Sequence, residues 1–421
     1  MGEQFLNHGH EVVEFETVAD IYVINTCTVT QNAEKDCRQI VRRALRKNPE
    51  AFVIVTGCYA QLRPEEIAEI EGVDVILGSN EKFKLFEYIN SFEKNTLSCI
   101  HVSDEESLDE FHVATSTEAD SRTRAFLKIQ DGCDYKCSFC TIPRARGKSR
   151  SATPDLVVDN LKRLLDEGYR EIILTGVNVG DYGVNSETDF TNLLYKLVSV
   201  DGDFRMRISS IEPNLLTDDI LDLTAENSKL VNHFHIPLQS GSTDILRKMQ
   251  RRYKADYFRD LIFRAHEKIE DVGIGIDVIV GFPGESDEHF METYNLLNDV
   301  PVSYLHVFTY SERPGTKAED MPGSVDVFER KKRNNMLRIL SAKKKSAFYR
   351  SMIGKELDVL WEHQDIDGKM RGFASNYVRV QADYNDLLVN KISKVKIVST
   401  DGNVCTSEIS EITPELKIMA G

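Results

Sequence analysis

Six short apolar segments between residues 124 and 350 constrain the fold of this 421-residue chain more than any other feature. Each has the length of a strand, and a helical pattern separates it from the next. They cover residues 125–130, 171–175, 204–209, 233–236, 274–280 and 303–309. Continuous apolar strands that alternate with helices are typical of parallel strands buried on both faces. Six such units predict a partial (β/α)6 barrel, in which ligand sites lie at the carboxyl ends of the strands.

Three cysteines follow the first of these strands. Cys133, Cys137 and Cys140 are spaced C-x3-C-x2-C. Three thiolates can hold three irons of a [4Fe–4S] cube and leave the fourth iron open to a small molecule. A zinc site would need a fourth Cys or His close by, and a disulfide would leave one thiol over. The spacing therefore predicts an iron–sulfur cluster with an open iron.

The first hundred residues alternate in the same way. Segments 21–25, 52–56 and 74–77 are predicted strands, and 32–47 and 64–71 are predicted helices, which together indicate an α/β domain of doubly wound type. Cys27 follows the first strand and Cys58 follows the second. Because neighbouring parallel strands end at the same edge of a sheet, we expect these two thiols to face each other and to hold a second cluster.

The last part of the chain has a different pattern. After a helix predicted at 325–349, short alternating segments at 356–361, 377–381, 394–398 and 404–409 predict a small all-β barrel. An acidic, polar stretch at 99–121 indicates a linker. The predicted domains are therefore 1–118, with the linker at its end, 119–352 and 353–421.

The net charge of −16 argues against a surface that is basic throughout, but basic residues gather locally. The group beside the cysteines suits an RNA backbone next to the chemistry; it is Arg144, Arg146, Lys148 and Arg150. No apolar run is long enough to span a membrane, and the first residues do not resemble a secretory signal. We therefore expect a cytoplasmic protein without a membrane partner.

The three-cysteine spacing, with the aromatic Phe139 before the last cysteine, resembles the radical S-adenosylmethionine (SAM) superfamily. Over nearly its whole length the chain resembles the methylthiotransferases of that superfamily. The sequences NTCTVT at 25–30, GCYAQ at 57–61, LTGVN at 174–178 and RGKSR at 146–150 are similar to the branch that acts on N6-threonylcarbamoyladenosine in tRNA.

The resemblance implies a fold, a reaction and cofactors. The fold would comprise an N-terminal cluster domain, a radical SAM barrel and a C-terminal RNA-binding TRAM barrel. The enzyme would use SAM and two [4Fe–4S] clusters to convert the adenosine 3′ of the anticodon to its 2-methylthio derivative, through a 5′-deoxyadenosyl radical. Its partners would be the tRNA anticodon stem-loop, an electron donor and a sulfur source.

Residue by residue, the resemblance assigns Cys133, Cys137 and Cys140 to the SAM-binding cluster, and Phe139 to the neighbourhood of the adenine. It assigns Cys27 and Cys58 to the auxiliary cluster. Polar groups at successive strand ends are the expected SAM contacts; they are Asn178, Glu212, Gln239 and Asp277.

One departure from the family concerns the first domain. The family places three cysteines there, and this chain has two at matching positions, since Cys37 lies within a predicted helix. We therefore expect a missing natural N-terminus and an auxiliary cluster one ligand short. The alternatives are methylthiotransfer to isopentenyladenosine in tRNA or to an aspartate of a ribosomal protein, and an iron–sulfur protein that binds RNA without modifying it.

Overall fold

The computed structural model describes residues 1–27, 32–95, 97–108, 111–112, 114–117, 123–184, 186–363 and 367–409. The predicted first domain boundary, at 118, and residues 28–30 of the NTCTVT sequence lie outside these ranges. By packing, the chain divides into two compact units. The first consists of Met1–His112, Gly132–Arg150 and Ser311–Asp320, and the second contains the rest of the described chain. The two domain boundaries expected from the sequence stay predictions.

The first unit is built on a four-stranded parallel sheet. Its strands, in spatial as well as chain order, are β1 (Ile21–Thr26), β2 (Phe52–Gly57), β3 (Val75–Leu77) and β4 (Cys99–His101). Its helices are α1 (Gly2–Asn7), α2 (Asn32–Lys47), α3 (Cys58–Leu62), α4 (Pro64–Ala68), α5 (Leu85–Tyr88) and α6 (Ile142–Arg146).

Both faces of this sheet are covered. Val53 and Val55 of β2 pack with residues of α2, α3 and α4 on one face, whereas Phe52 and Ile54 pack with residues of α1 and α5 on the other. Every residue of β2 is buried as a result. This explains why the strand is a continuous apolar run rather than an alternating one.

The second unit contains the partial barrel. Its strands are β5 (Thr115–Thr117), β6 (Arg124–Lys128), β7 (Gln130–Asp131), β8 (Arg150–Ser151, whose Arg150 belongs to the first unit), β9 (Glu171–Thr175), β10 (Arg205–Ile208), β11 (His233–Gln239), β12 (Gly273–Val280) and β13 (Tyr304–Thr309). Its helices are α7 (Pro154–Asp166), α8 (Phe190–Val198), α9 (Asp218–Glu226), α10 (Thr243–Lys248), α11 (Ala255–Lys268), α12 (Asp287–Asp299) and α13 (Val327–Ser351).

Parallel pairing joins the six predicted strands of the barrel. β10, β9 and β6 pair in that order, as do β11, β12 and β13. Two parallel bridges, Met206 with Leu230 and Ser210 with His235, connect these sets. The (β/α)6 prediction is therefore confirmed.

A closed five-stranded barrel follows α13. Its strands are β14 (Glu356–Trp361), β15 (Lys369–Ala374), β16 (Arg379–Asp383), β17 (Ile392–Thr400) and β18 (Cys405–Ile409). The fully buried Trp361 lies in its core and donates a hydrogen bond from Nε1 to Ser393 Oγ at 2.7 Å. The all-β prediction is confirmed, and β15 is a strand that the sequence analysis did not identify.

Shorter segments complete the described fold. One-turn 3-10 helices cover Glu81–Lys84, Glu105–Ser107, Val179–Asp181, Pro213–Leu215 and Asp386–Leu388. Within the described ranges, no helix is both long enough and apolar enough to cross a membrane.

Candidate functional site

The three-cysteine loop lies in the first unit. Cys133, Cys137 and Cys140 are thiols of intermediate burial that form no disulfide among the described residues. Backbone N–H groups point at two of the sulfurs: Tyr135 donates to Cys133 Sγ at 3.4 Å and Ile142 donates to Cys140 Sγ at 3.5 Å. Hydrogen bonds to cluster-bound sulfur stabilise its negative charge and tune the cluster potential. The loop therefore fits a cluster held by three thiolates.

Glycine is required where this loop begins. Gly132 has φ +72°, and a Cβ there would collide with the backbone carbonyl of Lys148. The Cys133 N–H donates to the Gly147 carbonyl at 3.1 Å, so the start and end of the loop are joined. Phe139 is half-buried on the same loop. Its predicted position near an adenine stays a prediction.

Cys27 and Cys58 occupy matching positions at one edge of the parallel sheet. They directly follow Thr26 and Gly57, which are register partners at the ends of β1 and β2. Gly57 has φ +102°, and a Cβ on it would collide with the Thr26 carbonyl, so only glycine allows this approach. Cys27 is exposed and Cys58 is buried. This placement fits two thiols that share a cluster, which remains a prediction.

Arg146 links the three-cysteine loop to the buried thiol within the first unit. Its Nε donates to Cys58 Sγ at 3.4 Å. A guanidinium N–H is a charged donor that can form a strong hydrogen bond to a cluster-bound sulfur. The sequence assigned Arg146 to RNA, because nothing in a linear pattern indicates a contact 88 residues away.

We expect Arg146→Gln to weaken iron binding at the Cys27 and Cys58 site. Loss of a charge-assisted hydrogen bond costs roughly 1.5–3 kcal/mol, so product formation should fall roughly tenfold. Arg144→Gln is the matched control, because Arg144 lies on the same helix and pairs with the Glu105 carboxylate at 2.8 Å. Iron analysis after anaerobic reconstitution checks this. Equal iron content in both variants would contradict a role for Arg146 at the thiol.

Several other basic residues, near the three-cysteine loop and on α13, also have intramolecular partners. Arg150 Nη1 donates to the carbonyls of Arg146 at 2.6 Å and of Lys148 at 3.1 Å. Lys148 itself is exposed. On α13, Arg330 and Arg333 are buried, at 6% and 3% exposure, and Arg333 binds the Glu285 carboxylate at 2.6 Å. These two arginines stabilise the second unit.

Asn178 is an unusual buried side chain in the second unit. It follows β9 and is 3% exposed, and neither its Nδ2 nor its Oδ1 has a hydrogen-bond partner among the described residues. Its backbone N–H donates to Gln130 Oε1 at 2.9 Å, which fixes its position. An unpaired buried amide costs about 1–3 kcal/mol per group, and such groups require an explanation. A polar ligand such as SAM would satisfy it, so the residue fits its predicted role.

Replacing Asn178 with leucine should separate stability from binding. Without SAM, we expect Asn178→Leu to raise the free energy of unfolding by about 1–3 kcal/mol, because a buried unpaired amide is removed. The same change should weaken SAM binding by tenfold or more, by order of magnitude. Urea denaturation and equilibrium binding measure the two effects. Asn160→Leu, at a half-buried position of α7, should leave SAM affinity unchanged. Unchanged affinity in Asn178→Leu would remove it from the site.

Glu212 and Gln239 lie at the ends of neighbouring strands. The Glu212 carboxylate pairs with the buried guanidinium of Arg251. Arg251 Nε also donates to Tyr253 Oη at 3.2 Å, so the carboxylate is held in place. Gln239 has φ +66° where β11 bulges against β12. A left-handed non-glycine residue is strained, and such residues concentrate at ligand sites. Both SAM assignments remain predictions.

Asp277 lies within β12, between two histidines. Its Oδ1 accepts from His235 Nε2 at 2.8 Å and lies 3.3 Å from His306 Nδ1. Burial raises the pKa of Asp277, but these imidazole hydrogen bonds outweigh it and lower the pKa to about 2. Asp277 is thus an ionised carboxylate that is paired with two histidines. The sequence analysis did not identify His235 and His306 as partners of Asp277. A usable signal was present, because aromatic or imidazole side chains alternate on β11 (His233, His235) and on β13 (Tyr304, His306).

Comparison with known proteins gives family matches. A model of the radical SAM superfamily matches residues 127–297. A second model, described as uncharacterized protein family UPF0004, matches residues 1–78. The first contains the three-cysteine loop and most of the partial barrel, and the second contains Cys27 and Cys58.

Two curated relatives and one solved structure illustrate the similarity. The threonylcarbamoyladenosine tRNA methylthiotransferase MtaB of Bacillus subtilis is 38% identical, over 98% of this chain and 94% of the relative. The tRNA-2-methylthio-N6-dimethylallyladenosine synthase of Clostridium botulinum is 33% identical, over 93% of this chain and 88% of the relative. The radical SAM methyltransferase TsrM from Kitasatospora setae matches with a TM-score of 0.52 at 15% identity, over 72% of this chain and 66% of that chain. The last likeness concerns the fold alone.

Proposed function

Because the chain belongs to the radical SAM tRNA methylthiotransferases, and within them to the threonylcarbamoyladenosine branch, we propose that it converts N6-threonylcarbamoyladenosine in tRNA to the 2-methylthio derivative. The observation that carries this proposal is the identity to curated members of that branch along nearly the whole chain. The three half-buried thiols on one loop fit the chemistry.

The family uses SAM and two [4Fe–4S] clusters. When bound, these cofactors supply the radical, the sulfur and the methyl group of the reaction. Cys133, Cys137 and Cys140 would hold the cluster that binds SAM. Cys27 and Cys58 would hold the auxiliary cluster.

The side chains of this protein position and protect these groups. The N–H donors of Tyr135 and Ile142 stabilise charge on the cluster sulfurs. Arg146 does the same for Cys58. The buried amide of Asn178 offers a donor and an acceptor that only a ligand would pair, which suits the polar groups of SAM. Phe139, Glu212, Gln239 and Asp277 are further proposed SAM contacts.

The substrate partner is tRNA, and we propose the anticodon stem-loop as the part that enters the site. A loop nucleotide can be splayed into a pocket without opening a duplex, which keeps the cost low. A separate electron donor and a sulfur source complete the reaction. A tRNA substrate is also consistent with the cytoplasmic location expected from the sequence.

Nucleoside mass spectrometry tests the proposed reaction. The chain is expressed in cells that lack their own 2-methylthio activity, and bulk tRNA is digested. We expect 2-methylthio-N6-threonylcarbamoyladenosine to form at the expense of its precursor. The Clostridium relative makes a dimethylallyladenosine derivative the second candidate product, and the two differ in mass. Unchanged nucleosides would refute both reactions.

A further inference from the structure

Helix α2 carries a row of arginines that the proposed reaction does not use. From Arg38 to Lys47 the chain has five basic residues and no acidic one. Three of them, Arg38, Arg42 and Arg46, are four residues apart and therefore lie on one side of the helix, about 6 Å from one to the next. We call these three the α2 basic stripe. It lies in a chain whose net charge is −16, so it is a local reversal of the overall charge.

Two of the three arginines of the stripe have no partner among the described residues, whereas Arg38 donates to the Glu66 carbonyl at 3.4 Å. Arg42 and Arg46 are exposed, and neither makes a hydrogen bond or ion pair with any described residue. Two other basic residues of the helix differ: Arg43 and Lys47 both pair with Glu16, and Arg43 also stacks on the Phe15 ring with its guanidinium carbon 4.8 Å from the ring centre. Arg43 and Lys47 therefore form ion pairs within the chain, whereas Arg42 and Arg46 form none with the described residues.

Helix stability does not account for the stripe. Like charges four residues apart destabilise a helix by roughly 0.2–0.5 kcal/mol per pair. The favourable interaction of cations with the helix dipole is confined to the last turn, which includes Arg46 but not Arg42. An unpaired arginine in the middle of the stripe therefore points to a ligand outside the chain.

The stripe lines a groove of about 1140 Å³ in the first unit. Residues 69–72, which include the exposed carboxylates of Glu69 and Glu71, and residues 94–95 also line it. Lys94 is held there by the Asp74 carboxylate at 2.8 Å, so it shapes the groove rather than offering a free charge. The row of exposed arginines on α2, rather than the whole groove, fits the phosphates of an extended anion, because each positive charge can neutralise one phosphate.

We propose that the α2 basic stripe binds the phosphate backbone of the substrate tRNA. This inference rests on the proposed function for the identity of the RNA. An acidic protein is the less favoured occupant, since stable protein interfaces need apolar or aromatic anchors. Among the described residues that line the groove, only Ile40 is a large exposed apolar residue, at 36% exposure. Phosphate contacts need no such anchor.

Salt-dependent tRNA binding tests the stripe. The reconstituted protein and the double variant Arg42→Gln/Arg46→Gln are titrated with tRNA from about 50 to about 200 mM KCl. We expect roughly tenfold weaker binding by the variant and a plot of log K against log salt that is shallower by about 1–2, because each lost phosphate contact removes nearly one unit of slope. Arg42→Lys/Arg46→Lys keeps the charges and should retain most of the affinity.

The matched control is Arg163→Gln/Arg259→Gln, which removes two exposed arginines that pair with acidic neighbours on α7 and α11. It should bind tRNA as the unmodified protein does. Wild-type affinity and slope in the Arg42→Gln/Arg46→Gln variant would overturn the proposal. The proposal would also be overturned if the lysine variant lost as much tRNA affinity as the glutamine variant. A glutamine variant that binds tRNA normally but no longer binds an acidic electron-transfer protein would overturn it as well. Stripe-dependent tRNA binding without any methylthio product would refute the proposed reaction and leave this surface standing.

Discussion

Replacing Cys137 with alanine is expected to remove the iron held by the three-cysteine loop and to bring methylthio product below detection. Cys137 is the middle of three half-buried thiols on one short loop. Two thiolates cannot hold a cube that needs three protein ligands and one open iron. Since the family reaction depends on SAM bound at that iron, the loss should be complete rather than partial. Iron and sulfide analysis, with nucleoside mass spectrometry on the same sample, measures both effects.

Cys99→Ala is the matched control for this change. Cys99 is a free, exposed thiol in β4 of the same unit. The control should keep the wild-type iron content and the wild-type product yield. If Cys137→Ala keeps both, the loop is not the cluster site. If it loses iron at the loop but still yields product, the radical chemistry resides elsewhere.

Strand positions were easiest to predict where a strand is buried on both faces, as β2 and β9 are. Such strands are continuous apolar runs, and segment 171–175 was predicted at the bounds that β9 has. β4 was missed because it is a three-residue edge strand with two exposed positions. β15 was missed because Gly372 interrupts its pattern of apolar residues. A Cβ at this position would collide with the Leu360 carbonyl, so the close packing of two strands requires glycine there.

The site was predictable only where its residues lie close together in the sequence. The spacing of Cys133, Cys137 and Cys140 is a local pattern, and so is the position of Cys58 after a strand. The contact of Arg146 with Cys58 and the pairing of Asp277 with two histidines join residues distant in sequence. A linear pattern contains no information on such pairs until the sheet order is known.

Glu171→Gln is expected to lower the free energy of unfolding of the second unit by about 3–5 kcal/mol, because it leaves two buried charges without a counterion. Glu171 is fully buried and binds Arg205 at 2.6 Å and Arg207 at 2.9 Å. The two guanidinium groups also donate to carbonyls of the C-terminal barrel, among them that of Asp358 at 2.9 Å and that of Ser375 at 3.0 Å. The carboxylate therefore anchors the contact between the partial barrel and the C-terminal barrel.

Urea denaturation measures this effect, and alkylation of a buried thiol locates it. Cys405 lies in the core of the C-terminal barrel at 0% exposure. Peptide mass spectrometry should find it alkylated faster in Glu171→Gln if the contact between the barrels opens. Glu167→Gln is the matched control, because that exposed carboxylate pairs only with Arg163 across one helical turn among the described residues, and exposed pairs contribute about 0–1 kcal/mol.

The dependence on pH separates the charge of Glu171 from its packing. Burial raises the pKa of Glu171, but the charges of Arg205 and Arg207 outweigh it and hold the pKa at about 2. The pKa is thus lower in the folded chain than in the unfolded one, and the folded chain binds fewer protons. The ionised group contributes about 3 kcal/mol of stability above pH 4.5 or so, and this is lost as the pH falls towards about 2. The stability difference between the unmodified protein and Glu171→Gln should therefore shrink between about pH 4.5 and about pH 2. A difference that stays constant over that range would mean that shape rather than charge makes Glu171 necessary.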